Sequence, residues 1–232
     1  METRLYIAVT SREMAGRKKL LDELAGLPLG IKVGLELFVS QGPALLDEIR
    51  KADFPLFLDL KFHDIPFTVE GAVRSACRFA PELLNVHASG GMEMMRAAAE
   101  AVEGDTRLLA VTVLTSLSGD DLQRTGFRGG PEELVTGMAV AAREAGIHGV
   151  VCSPLEASAV RRAAGSDFLI VTPGVRPAGA GMDDQKRTST PFEAVKAGAT
   201  SLVVGRPVTM AEAPRSAAES LLSEINLAFS ER

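Results

Sequence analysis

Short apolar runs alternate with amphipathic stretches from one end of the chain to the other. The run from Leu5 to Val9 predicts a first strand, and Arg12 to Leu24, with Leu20, Leu21 and Leu24 on one side, predicts a helix. Ile31 to Leu37 predicts a second strand, and Pro43 to Lys51 a helix with proline at its start. Phe54 to Lys61 follows as a third strand. Pro66 to Phe79 then reads as a helix, because Val69, Val73 and Cys77 recur four apart on one face. Further strands are predicted at Leu83 to His87, Leu108 to Leu114, Gly149 to Cys152, Phe168 to Thr172 and Leu202 to Gly205. The helical stretches among them are Gly91 to Val102, Pro131 to Ala145 and Pro154 to Ala164, with a last one from Ala213 to Phe229.

Strands that alternate with helices must run parallel and connect through right-handed crossovers. About eight such units in a chain of this length favour a closed (β/α)8 barrel, one domain over residues 1–232. An open doubly wound sheet is the competing arrangement. It is weakened because no Gly-x-Gly-x-x-Gly follows the first strand. A barrel places its site at the carboxyl ends of the strands.

The third strand runs into Asp59-Leu60-Lys61-Phe62-His63-Asp64-Ile65-Pro66. Alternation puts Leu56, Leu58 and Leu60 on one face and Phe57, Asp59 and Lys61 on the other. The leucine face suits a covering helix, whereas the other face carries charge into a buried place. Such charges must be paired, and their clustering points to a site, although ion-pair networks also serve structure. On the second strand Lys32 alternates with Ile31 and Val33, so it faces the barrel mouth if those two face the helices.

The octapeptide resembles the signature of the orotidine 5′-phosphate decarboxylase family. The similarity continues, in the family's order, through Lys32-Val33-Gly34, Asn85-Val86-His87-Ala88, Val111 to Ser116, Val171 to Arg176 and Val203 to Arg206. The resemblance implies a homodimer without metal or organic cofactor that converts orotidine 5′-phosphate to UMP and CO2. It implies catalytic roles for Lys32, Asp59, Lys61 and Asp64, with Asp64 serving the neighbouring subunit's site and Ile65 and Thr68 reaching the same ligand. Thr115 and Ser116 correspond to positions that hydrogen-bond the pyrimidine. Pro173, Arg176, Gly205 and Arg206 correspond to the phosphate end of the substrate-binding site, and Gln185 to a contact from a closing lid within Ala178 to Arg187. His63 and His87 are read as supporting and structural.

One position departs from the family. Its first strand usually ends in Ala-Leu-Asp, and that Asp binds the ribose hydroxyls; here Thr10 stands at the matching place. A hydroxyl still hydrogen-bonds ribose but lacks the charge assistance. The shorter D-x-K-x-x-D core is shared with Mg²⁺-dependent sugar-phosphate decarboxylases and a hexulose-phosphate synthase. The His63-Asp64-Ile65-Pro66 extension and Gln185 speak against those relatives. A nucleotide-binding protein that has lost catalysis is a further alternative, supported by Thr10 and opposed by the charged set.

Composition changes this picture little. The 232 residues are 46% hydrophobic, enough to bury a large core, and the net charge of -5 argues against a general nucleic-acid or membrane partner. Cys77 and Cys152 lie far apart in apolar surroundings without metal spacing, which predicts two buried free thiols. With Met1 leading straight into the first strand and no apolar run of spanning length, a cytoplasmic protein is expected.

Overall fold

The computed structural model describes residues 4–10, 13–176 and 189–232. Its strands are β1 (Leu5–Val9), β2 (Gly30–Gly34), β3 (Leu56–Phe62), β4 (Leu83–His87), β5 (Arg107–Val111), β6 (Gly149–Val151), β7 (Leu169–Thr172) and β8 (Ser201–Val204). They are parallel and pair in sequence order, and β1 pairs with β8 to close the barrel. Around them run α1 (Met14–Leu24), α2 (Leu35–Gln41), α3 (Ala44–Lys51), α4 (Pro66–Cys77), α5 (Gly91–Glu100), α6 (Gly119–Arg124), α7 (Pro131–Glu144), α8 (Ala157–Ala164), α9 (Pro191–Ala197), α10 (Arg206–Thr209) and α11 (Pro214–Ser230). The expected (β/α)8 barrel is the fold.

Alternation along each strand divides the core in two. Ile7, Ile31, Val33, Leu58, Leu84, Leu108, Ile170 and Leu202 join Leu20, Leu24, Ile49, Val69 and Val73 of the helices in one continuous outer core. Tyr6, Phe57, Leu83, Leu109, Leu169, Val171 and Val203 form a second cluster inside the barrel. Tyr6 and Phe57 meet edge to face, with ring centroids 5.6 Å apart. Two glycines make room for this filling. A Cβ at Gly30 would strike the Tyr6 ring, and one at Gly149 would overlap Leu169, its partner in the β6–β7 ladder. The barrel is therefore solid below its mouth, and a ligand has access from one end.

Several element ends differ from the expectation. The second strand stops at Gly34, and Leu35 to Leu37 begin α2. Gly34 is the extended N-cap of that helix and Glu36 lies in its first turn, where the dipole favours a carboxylate. A short apolar run does not by itself separate the two periods. The fifth strand stops at Val111, not Leu114. The Thr112 N–H donates to the Val151 carbonyl at 3.1 Å and its hydroxyl to the same oxygen at 2.8 Å, the last bonds of this ladder. Pro154 to Glu156 form a turn before α8. Besides α2, three described helices have no counterpart in the sequence reading: α6, α9 and the short α10. Both α6 and α9 start with a capping box, Ser118 with Asp121 and Thr190 with Glu193. Cys77 and Cys152 are buried and outside any disulfide, as expected.

Gly149→Val should test the interior packing. The added side chain overlaps β7 backbone as well as a side chain, so the site does not relax cheaply. A loss of about 2 kcal/mol or more is expected from denaturant unfolding, with the slope unchanged.

Candidate active site

Three charged side chains meet where β2 and β3 leave the barrel. Asp59 pairs with Gly34 in the β2–β3 ladder. Lys32 lies two residues before Gly34 on the same face, and a Cβ at Gly34 would sit 3.5 Å from its ammonium. That separation is ordinary contact, and Lys32 Nζ crosses to the neighbouring strand and reaches Asp59 Oδ2 at 2.5 Å. Lys61 Nζ reaches the other oxygen, Oδ1, also at 2.5 Å. Asn85 of β4 donates from Nδ2 to the same Oδ1 at 2.7 Å.

Asp59 is 3% exposed, so its ionisation needs explaining. Burial alone raises the pKa of a carboxyl, but the Lys32 and Lys61 ammoniums and their hydrogen bonds more than reverse this and lower it to about 2. The carboxylate is therefore charged throughout the working range and is saturated by donors. Openness is unequal within the group. The Lys61 side chain is 28% exposed against 5% for Asp59, which makes Lys61 the member most accessible to a ligand.

Lys61 also has unusual backbone. Its φ is +51°, in the left-handed region that side chains other than glycine occupy at a cost of roughly 1–3 kcal/mol. The β3–β4 ladder shifts register there, since Leu58 pairs with Leu84 and the next pair is Phe62 with Val86. The Lys61 N–H, taken out of the regular ladder, donates to Asn85 Oδ1 at 2.8 Å. Close by, the His63 and His87 rings lie 5.4 Å apart. His87 is lowered from its ordinary 6.5 first by burial and then by His63 and Lys61, so it is neutral at pH 7.

The group opens into a cavity of about 390 Å³, within the roughly 300–1,000 Å³ usual for small-molecule sites. Its floor is apolar, from Ala8, Phe57, Val111, Val151 and Val203. Thr10, Lys32, Asp59, Lys61, Thr115, Pro173, Arg176, Gly205 and Arg206 all line it, so most of the residues singled out from sequence come together. Arg176 and Arg206 follow β7 and β8 and put guanidinium charge on one side of the mouth. The remaining residues are placed differently. Ser116 is exposed and outside the cavity lining, and it and Thr115 sit in the loop beyond β5 rather than at its end. Asp64, Ile65 and Thr68 are exposed at the entry to α4, and Asp64 Oδ1 accepts from the Ile65 N–H at 2.7 Å. Gln185 and the stretch from Ala178 to Arg187 lie outside the described residues.

The sequence pattern assigns Asn85, within Asn85-Val86-His87-Ala88, no role of its own. A signal was present: in Leu83-Leu84-Asn85-Val86-His87 it is the polar residue at the centre of an apolar strand, on the same face as Leu83.

The closed barrel and the charged group at the carboxyl ends of its strands define a (β/α)8-barrel enzyme. The model of the Orotidine 5′-phosphate decarboxylase / HUMPS family matches residues 3–221, and the chain belongs to that family. It is 52% identical to an orotidine 5′-phosphate decarboxylase of Trichlorobacter lovleyi over 200 residues, 84% of this chain and 83% of that one. It is 45% identical to the enzyme of that name from Moorella thermoacetica over 233 residues, 97% of this chain and 92% of the relative. A solved structure, the orotidine 5′-phosphate decarboxylase of Lactobacillus acidophilus, superposes with a TM-score of 0.86 at 34% identity, covering 97% of this chain and all of that one. Among the described residues, no helix is long and apolar enough to cross a membrane.

The lowered pKa of Asp59 has a measurable sign. A carboxyl at about 2 when folded, against an ordinary 3.8, adds stability that is complete above pH 4 to 5 and is lost as pH falls toward 2. The stability difference between the wild type and Asp59→Asn should be constant from pH 5 to 7. It should then shrink by on the order of 1 kcal/mol by pH 3, roughly half of the whole effect. A difference that grows on acidification would contradict the pairing.

Proposed function

We propose that this chain decarboxylates orotidine 5′-phosphate to UMP and CO2, the closing step of de novo pyrimidine nucleotide synthesis. The observation that carries the reading is one buried carboxylate shared by two ammoniums at the edge of a nucleotide-sized cavity, in a chain of this family. Loss of CO2 breaks the bond between C6 of the pyrimidine and the carboxylate and leaves the electron pair on C6. No carbonyl is positioned to accept that pair. The Lys61 ammonium supports the reading because it is fixed in place, is the group's most open member, and faces an apolar floor that strengthens its field. It stabilises the developing carbanion and then gives C6 its proton, regaining one from water. Lys32 and Asp59 hold Lys61 in place and charged.

Arg176 and Arg206 take the phosphate, with Pro173 and Gly205 shaping that end. Thr115 lies on the pyrimidine side with Ser116 beside it, and Thr10 meets the ribose without the charge its relatives use there. Gln185 corresponds in sequence to the family's ligand-contacting glutamine. These assignments follow the family's pattern residue by residue, and the grouping of Thr10, Thr115, Pro173, Arg176, Gly205 and Arg206 around one cavity supports theirs.

The active form is a homodimer in the cytoplasm. Lys32, Asp59 and Lys61 sum to +1 within one chain, and Asp64, the fourth charge of the family's set, is exposed on the rim. Leu35 and Val39 after β2 and Ile65 and Phe67 after β3 are also exposed, 50%, 80%, 65% and 83% respectively. Apolar side chains grouped beside an exposed carboxylate suit a second copy, which brings its Asp64 to this site and receives this one in return.

A spectrophotometric assay for loss of orotidine 5′-phosphate tests the reading. Full turnover is expected in excess chelator, because both Asp59 oxygens are taken by cationic and amide donors and no group of three or more His, Cys, Asp or Glu among the described residues is placed to hold a metal. Lys61→Ala should lose at least about 10³-fold in kcat while still binding UMP. Activity that needs added Mg²⁺, or a Lys61→Ala enzyme with normal kcat, would overturn it.

Mixed dimers test the shared site separately. Lys61→Ala and Asp64→Ala chains, each nearly inactive, are unfolded and refolded together. If Asp64 crosses the interface, each mixed dimer has one site with both defects and one with neither. About half the dimers are mixed, so roughly a quarter of wild-type activity should return. No recovery, with mixed dimers confirmed by mass, would place Asp64 in its own chain's site.

A further inference from the structure

Asn85 is a fully buried amide at the centre of an apolar strand. Such a group is costly unless both its ends are bonded. Here both bonds go to the same segment of β3. Oδ1 accepts from the Lys61 backbone N–H at 2.8 Å, and Nδ2 donates to Asp59 Oδ1 at 2.7 Å. The Lys61 ammonium donates to that same carboxylate oxygen at 2.5 Å. A closed ring results, running from the Lys61 backbone through the Asn85 amide to Asp59 and back to the end of the Lys61 side chain.

The ring bears on catalysis because the backbone at Lys61 is not a regular strand. It is left-handed, at φ +51°, where the ladder with β4 shifts register. A regular extended residue there would restore the pairing and point the side chain along a different line. The amide fits the kinked form, since one orientation accepts from the displaced N–H while donating to the carboxylate. Asn85 is not among the residues lining the cavity.

We propose that Asn85 is a positioning residue, whose amide holds the left-handed backbone of Lys61 and the Asp59 carboxylate together and so aims the Lys61 ammonium into the cavity. The proposal rests on the decarboxylase reading and deepens it. It acts through Lys61 and leaves the nucleotide contacts alone.

Two substitutions test it, with turnover normalised to sites counted by UMP binding. Wild-type turnover comes first, and its absence would defeat the decarboxylase reading before any variant is compared. Asn85→Ala removes both bonds and should lower kcat at least tenfold with UMP affinity within about threefold. Asn85→Asp keeps the acceptor for the Lys61 N–H but sets a second carboxylate against Asp59. When it takes up a proton its O–H donates to Asp59 and its carbonyl accepts from Lys61, which restores both bonds of the amide. The facing groups are Asp59, Lys61 and Lys32, with His63 and His87 nearby, and taking the ratio to wild type removes what both enzymes share. The ratio of wild-type to Asn85→Asp kcat should therefore fall about tenfold from pH 8 to pH 5.5, because paired carboxyls hold a shared proton well above their ordinary range. A structural amide would give a ratio independent of pH, and that result overturns the proposal. So does an Asn85→Ala enzyme with kcat per site within threefold of wild type. If Asn85→Ala does not fold, the pH dependence of Asn85→Asp decides alone.

Discussion

A single carboxylate, Asp59, holds two ammoniums at 2.5 Å in a barrel mouth floored by apolar side chains. Taking three charges out of water costs several kcal/mol for each, and the mutual attraction offsets this only if the geometry is close and the remaining lone pairs are bonded. Here the Asn85 amide completes the set, and the carboxyl ends near 2 despite its burial. The surrounding architecture follows from that demand. Lys32 crosses from β2 to reach the carboxylate, and the Lys61 backbone turns left-handed where its side chain closes on the same group. A solid interior of Tyr6, Phe57, Leu109 and Val203 gives these groups a rigid base.

Fixing charges before a ligand arrives is how a protein stabilises a developing charge without reorganising at the moment of reaction. A lone Lys on a flexible stem would spend side-chain entropy and solvent reorganisation each time. The left-handed strain at Lys61 and the burial of Asp59 are stability given up locally, and the extensive outer core of the barrel is large enough to tolerate it. The same logic accounts for the neutral His87 beside the group, since a third cation there would repel both ammoniums.

Much of this was legible in the sequence because the relevant period is short. Strand alternation put Asp59 on the face of Phe57 and Lys32 opposite Ile31 and Val33, and the two core clusters divide the same way, whereas Lys61 meets Asp59 through left-handed backbone that alternation does not describe. The crossover pattern led to the barrel. Element ends were less legible. Ile31 to Leu37 is apolar whether strand or helix, and what divides it is the cap at Gly34. The helix α9 could have been read from Thr190-Pro191-Phe192-Glu193, a capping box with proline at the first helical position. The bulge at Lys61 leaves no local mark, because it depends on Asn85 from another strand. Asp64 shows a further limit, since the pattern of a chain does not say whether an exposed turn residue acts at its own site or at that of a second copy.

The central claim is that the fixed Lys61 ammonium exchanges a proton with C6 of the bound pyrimidine. Microscopic reversibility lets this be measured on the product alone. UMP incubated with the protein in D₂O should slowly acquire deuterium at C6, seen as loss of that proton's NMR signal, while C5 is unaffected. The same incubation with Lys61→Ala, at UMP concentrations that saturate it, should show none. Exchange at C6 that proceeds as fast in Lys61→Ala as in the wild type would contradict the account.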